Sequence, residues 1–176
     1  MNKKCTKCGK DGEREDFYKD KKTKDGLSYV EIGCGTGRNL AGLKAKGFKK
    51  LSGIKISEKA IQVGRAAFPL LEGIPIECEA IEDVISQLPK VDCIFTQGVL
   101  QHLSPDTDWV HKTMTKKARK VIMVIENEQP HGIRSWARDY SKIFTDLGWT
   151  EVESKTNTRQ PGHAPTTALR VFYNSK

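Results

Sequence analysis

Ser28-Tyr29-Val30-Glu31-Ile32-Gly33-Cys34-Gly35-Thr36-Gly37-Arg38-Asn39-Leu40-Ala41-Gly42-Leu43 is the stretch whose reading decides the fold. A short apolar run (Tyr29, Val30, Ile32) meets three glycines within five residues, Gly33, Gly35 and Gly37, and a helix-compatible segment opens at Arg38. Strand, Gly-rich turn and helix in that order build the ligand crevice at the carboxyl end of a first strand in open α/β sheets. Glycine suits the turn because it accepts positive φ and, lacking a Cβ, lets bare backbone approach a ligand. The spacing is G-x-G-x-G preceded by an acid, Glu31, and not the G-x-G-x-x-G of a dinucleotide fingerprint.

Outward from this unit, strands and helices alternate. The pattern predicts strands at 28–32, 51–56, 74–79, 91–96 and 120–125, with helices at 37–46, 57–68, after Glu82-Asp83, at 106–115 and at 133–147. Ser57 is placed to cap the second helix. Two final strands, 150–155 and 168–173, have no helix between them and predict an antiparallel hairpin. The expected fold class is α/β: a Rossmann-like, seven-stranded, mostly parallel sheet with a C-terminal antiparallel hairpin and helices on both faces.

The Glu31-Ile32-Gly33-Cys34-Gly35-Thr36-Gly37 run resembles motif I of the class I S-adenosylmethionine-dependent methyltransferases, and the likeness extends over about residues 28–173. Thr96-Gln97-Gly98-Val99-Leu100-Gln101-His102-Leu103 resembles the loop that follows the fourth strand in that family, and Glu79-Ala80-Ile81-Glu82-Asp83 resembles its adenine-holding segment. The resemblance implies S-adenosylmethionine as cofactor, with contacts carried onto Glu31, Gly33, Cys34, Gly35, Gly37, Asn39, Lys55, Ile56, Ala80, Ile81, Glu82, Gln97 and Gly98. One position departs from the pattern. Members commonly end the second strand in an acid that accepts hydrogen bonds from the ribose hydroxyls, whereas Gly53-Ile54-Lys55 puts a lysine there. Lysine only donates, so weakened cofactor affinity, an inactive relative and a site adapted to another ligand all follow as readings.

Methyl transfer is a displacement at carbon, so the protein must hold the acceptor in line and supply a base if the acceptor carries a proton. The acceptor residues are expected above strands four and five and in the last hairpin: His102, Glu126, Asn127, Glu128, His131, Arg134, Trp136, Arg138, Asp139, Tyr140, His163 and Thr166. His131 and His102 are the candidate catalytic residues, His131 as the base and His102 also read as hydrogen-bonding within its turn; Arg134, Trp136, Arg138 and His163 are the candidate substrate residues. Arg134 and Arg138, one helical turn apart, suit a carboxylate or phosphate, or else an ion pair with Asp139. Trp136, Tyr140, Phe144 and Leu147 fall at helical spacing and read as core.

Residues 1–27 differ in character and read as a basic N-terminal arm, with residues 28–176 as the methyltransferase-like domain. Residues 1–26 hold nine basic and six acidic side chains, and Cys5-Thr6-Lys7-Cys8-Gly9 has zinc-knuckle spacing. The arm resembles the first half of small phage-type zinc-finger modules, but a second Cys-x-x-Cys is missing. Cys5 and Cys8 alone do not make a site, so no metal is assigned. The 176 residues suit one main domain, and the net charge of +8 admits acidic partners. A small-molecule or saccharide acceptor is the favoured partner. The alternative is an inactive module of the same fold that binds cofactor or nucleic acid. The start of the chain has no apolar signal region, and the odd count of five cysteines suits a reducing compartment, so a cytoplasmic protein without a membrane span is expected.

Overall fold

The computed structural model describes residues 3–4, 11–12, 26–129, 134–157 and 167–174. Seven strands form one sheet: β1 (Ser28–Ile32), β2 (Lys50–Ile54), β3 (Ile76–Glu77), β4 (Val91–Gln97), β5 (Ala118–Asn127), β6 (Thr150–Asn157) and β7 (Thr167–Tyr173). Their order is β3-β2-β1-β4-β5-β7-β6, with β7 antiparallel to both neighbours and every other pairing parallel. The chain steps outward from β1 to β3 and then returns to β4 beside β1. That reversal opens a crevice at the carboxyl ends of β1 and β4, where ligands bind in such sheets. The predicted fold class is the observed one.

Helices α1 (Arg38–Ala45) and α2 (Glu58–Ala67) follow β1 and β2, and α3 (Ile81–Val84), α4 (Trp109–Lys117) and α5 (Tyr140–Asp146) follow β3, β4 and β5. Ser57 caps α2, its hydroxyl accepting from the Ala60 amide at 3.3 Å. Alternation along each strand divides the core between the two faces. Val30, Ile32, Ile94, Ile122, Val124 and Phe172 belong to the larger cluster, together with Tyr140 and Phe144 of α5. Leu40, Leu51, Leu71, Cys93 and Phe95 form the smaller one beside α1. At the end of the sheet away from the crevice, Asp92 accepts from the amide and hydroxyl of Ser28, both at 2.9 Å, and pairs with Arg119. Burial works to raise the Asp92 carboxyl, but the Arg119 and Ser28 bonds hold it below the usual carboxylate range.

Three sequence expectations need correction. The third strand is two residues long, Ile76–Glu77, and not 74–79. The fourth helix starts at Trp109, after a 3₁₀ turn at Pro105–Thr107. Within the expected helix 133–147, only Tyr140–Asp146 is α-helical, and the described residues before it, 134–139, are not. Tertiary contacts account for the last case. Arg138 reaches the carbonyls of Leu100 and Leu103 and the Asp108 carboxylate, while Asp139 sits at φ −90°, ψ 92° and caps the helix through the Lys142 amide. Trp136 therefore lies ahead of α5, whereas Tyr140 and Phe144 are fully buried as expected.

Lys3–Lys4 pairs antiparallel with Asp11–Gly12, bracketing in sequence the Cys5 and Cys8 pair, which lies outside the described residues. Among the described residues no helix is long and apolar enough to cross a membrane.

Gly64 of α2 abuts the glycine turn so closely that a Cβ there would meet the Thr36 carbonyl oxygen at 2.0 Å. Gly64→Ala is expected to push α2 off the turn and lower the Tm by several degrees. Gly42→Ala, a helical site with nothing within 4 Å of the added Cβ, is expected to leave the Tm unchanged or raise it, by about 2–4 °C for ~1 kcal/mol. Thermal unfolding of the two variants checks the contrast.

Candidate functional site

Gly33, Gly35 and Gly37 adopt φ of 69°, 57° and 79°, values a side-chain-bearing residue rarely takes. Their surroundings differ. A Cβ on Gly33 would strike Val99 at 2.3 Å and one on Gly37 would strike Leu71 at 2.7 Å, so these two glycines let the turn pack. Gly35 has nothing within 4 Å of that position and faces open space, as does Gly98 after β4. The turn is thus tied down at both ends and bare in the middle.

A pocket lies between this turn and the end of β4, lined by Glu31, Gly33, Cys34, Gly35, Thr36, Arg38, Asn39 and Gln97. Glu31 is 2% exposed, and its Oε1 accepts from Asn39 Nδ2 at 2.7 Å. The same Asn39 amide group donates to Gln97 Oε1 at 3.0 Å, joining the ends of β1 and β4 across the crevice. The second carboxylate oxygen, Glu31 Oε2, is buried and has no hydrogen-bond partner among the described residues. Burial pushes the Glu31 carboxyl up to about 7, against the opposing Asn39 bond and the positive charge of Arg38. An unmet acceptor and an exposed guanidinium therefore line one small pocket, a charge pattern matched to a ligand carrying an ammonium and a carboxylate. Cys34 is 5% exposed, with its thiol pushed up to about 12 by burial, and acts as packing and not as a nucleophile.

The loop after β4 hangs from one carboxylate. Glu126, at 0% exposure, accepts from the Thr96 hydroxyl at 2.7 Å and from the amides of Val99 at 2.9 Å and Gln101 at 3.4 Å. Burial raises its carboxyl all the same. Sequence reasoning put Glu126 and Asn127 among acceptor-facing residues, but the structure buries both and makes Glu126 the anchor of the loop that carries Gln97 and Gly98.

The other expected residues are distributed as follows. Lys55 is half-buried at the end of β2, its amide bonded to the Glu77 carbonyl, and Ile56 is 68% exposed beside it. Ala80 and Glu82 are half-buried, and Ile81 is buried at the start of α3. His102 is exposed, with Nδ1 2.6 Å from the Arg134 carbonyl and Nε2 3.0 Å from Gln101 Nε2. Trp136 donates its amide to the Gln101 carbonyl, and Arg134 is exposed. Arg138 is buried and engaged by Asp108, Leu100 and Leu103, so its partner is neither a free anion nor Asp139. Glu128 is held by Arg170, and Tyr140 is fully buried. His131, His163 and Thr166 lie outside the described residues. Sequence reasoning missed Thr36 and Arg38 as pocket residues, although their place inside the glycine run was the available signal.

Glu31 favours its protonated form in the folded chain, because its carboxyl is raised from 4.5 to about 7. Its contribution to stability is full below about pH 4.5 and is lost as pH rises through about 7. Relative to wild type, Glu31→Gln is expected to gain up to about 3 kcal/mol of stability between pH 5 and pH 8. Urea unfolding at the two pH values reads the difference, and parallel behaviour of the two proteins would contradict it.

The profile of a methyltransferase domain family matches residues 30–120, just over half of the chain. No curated protein matches by sequence. Solved structures with the same fold include magnesium protoporphyrin IX methyltransferase from Synechocystis with bound SAM, at 18% identity and TM-score 0.66, covering 84% of this chain and 70% of that one. The N-methyltransferase NodS from Bradyrhizobium japonicum in complex with S-adenosylhomocysteine is similar at 22% identity and TM-score 0.67, covering 85% and 79%. The 1,6-didemethyltoxoflavin-N1-methyltransferase of Burkholderia thailandensis is similar at 15% and 0.67, covering 85% and 72%.

Proposed function

Because the chain belongs to the methyltransferase domain family, we propose that it uses S-adenosylmethionine to methylate a small-molecule or saccharide acceptor held above β4 and β5. The observation that carries this reading is the buried, partnerless Glu31 Oε2 in a pocket floored by bare glycine backbone. Such an oxygen wants a donor, and the amino group of the cofactor's methionine portion would supply one. Arg38, across the same pocket, suits the carboxylate of that portion. The residues present therefore fit the group at its amino-acid end.

At the ribose the fit is poorer. Lys55 stands where an accepting carboxylate is expected, and a charge-assisted bond of that type contributes about 1.5–3 kcal/mol. When bound, the cofactor supplies an electrophilic methyl on sulfur. The chain's part is to hold that end against the glycine turn, keep the loop after β4 rigid through Glu126, and present the acceptor from the side of the Arg134–Arg138 segment. Among the similar structures, the methyltransferases of magnesium protoporphyrin IX and of 1,6-didemethyltoxoflavin support a small-molecule acceptor. Lys55, a donor where the family pattern has an acceptor, also favours a second reading, a catalytically inactive module of the same fold. Product formation with candidate acceptors separates the two.

Calorimetric titration with S-adenosylmethionine tests the proposal. Binding is expected to strengthen about tenfold from pH 6 to pH 8, as Glu31, with its carboxyl at about 7, ionises to meet the ammonium, and Glu31→Gln is expected to lose that dependence. Lys55→Glu is expected to bind about ten- to a hundredfold more tightly, the equivalent of one restored charge-assisted bond. Equal or weaker binding by this variant would refute the ribose account, and the absence of heat from wild type would refute the cofactor.

A further inference from the structure

His102 has its two ring nitrogens in bonds of opposite sense. Nδ1 lies 2.6 Å from the Arg134 carbonyl oxygen, which can only accept, so Nδ1 must carry a proton. Nε2 lies 3.0 Å from Gln101 Nε2. The orientation of that amide is fixed independently, because Gln101 Oε1 accepts the Asn127 amide at 2.7 Å. Gln101 Nε2 is therefore a donor, and His102 Nε2 must accept. Both ends of the ring demand the same neutral tautomer, and a proton on Nε2 would set two donors face to face.

The same two residues hold one strap of chain. The Trp136 amide donates to the Gln101 carbonyl at 2.9 Å, next to the His102 bond to Arg134. Further along, Arg138 donates to the carbonyls of Leu100 and Leu103 at 3.0 and 2.7 Å. The segment from Arg134 to Arg138 is thereby fastened to the loop after β4, and that loop hangs from Glu126.

We propose that His102 is a positioning residue and not the base of the reaction: a latch fixed as the Nδ1-protonated tautomer, which holds the Arg134–Trp136 strap against the loop after β4. To act as a base through Nε2, the ring would have to give up the Gln101 donor that orients it. The latch itself is independent of any methyl transfer. That the strap forms the wall of the acceptor side rests on the function proposed above.

The test uses the full chain labelled with ¹⁵N-histidine. Long-range proton–nitrogen correlation, with His102 assigned through its side-chain carbons, is expected to show one form with Nδ1 protonated and Nε2 bare. A protonated Nε2, or averaging between tautomers, would overturn the proposal on wild type alone. Two variants separate the latch from mere occupancy of the site. His102→Asn keeps a donor close to the Nδ1 position, whereas His102→Gln moves its amide to the Nε2 position and loses the bond to Arg134. Amide exchange at Trp136 is expected to quicken roughly five- to tenfold in His102→Gln and to stay within about twofold of wild type in His102→Asn. No change in His102→Gln, or equal quickening in both, would overturn the latch. S-adenosylhomocysteine titration of wild type runs alongside: failure to bind counts against the methyltransferase reading and leaves the tautomer and exchange results standing.

Discussion

A carboxylate buried at the end of the central strand sets the terms for the crevice. Glu31 is the polar residue of β1 next to the glycine turn, and one of its oxygens is bonded to Asn39 while the other has no partner among the described residues. Burying an acceptor without a partner costs on the order of 1–3 kcal/mol, which the fold tolerates at a place where a ligand can supply the donor. Three positive-φ glycines within five residues fall in the same turn, a conformation that side-chain-bearing residues rarely adopt. The local rules of the chain are broken together, at the switch point of the sheet.

Around that point the structure is braced by other carboxylates in supporting roles. Asn39 bridges Glu31 to Gln97, so the first and fourth strands share one polar link above the sheet. Glu126 gathers the backbone of the next loop, and Arg170 binds Glu128 and Glu151, tying the end of β5 to the edge hairpin. Arg138, buried against Asp108 and two carbonyls, continues the bracing to α4. Glu126 and Arg138 order connections at the carboxyl end of the sheet, so that end is shaped by buried charge and not by exposed loops alone. At the opposite end, Asp92 and Ser28 close the sheet with no evident part in the site.

The fold was legible because its signals are local. A glycine run at fixed spacing, apolar strand segments and a late hairpin all express backbone requirements of neighbouring residues. The crevice residues on β1 and β4 followed from the same motifs. What could not be read depends on contacts between distant segments. Arg138 looks like a helical, ligand-facing cation until Asp108, thirty residues earlier, is brought beside it. Glu126 looks like a site acid until the loop after β4 folds back over it. Gly64 carries no mark in sequence that distinguishes it from Gly42, yet the Thr36 carbonyl stands where its side chain would be. The tautomer of His102 needs three partners from two loops.

The central claim is that Glu31 Oε2 waits for a cationic donor. A crystal structure of the chain grown with S-adenosylhomocysteine addresses it directly. The account predicts the ligand's amino nitrogen about 3 Å from Glu31 Oε2. A ligand bound elsewhere, or one seated in the crevice with that oxygen still lacking a partner, would contradict it.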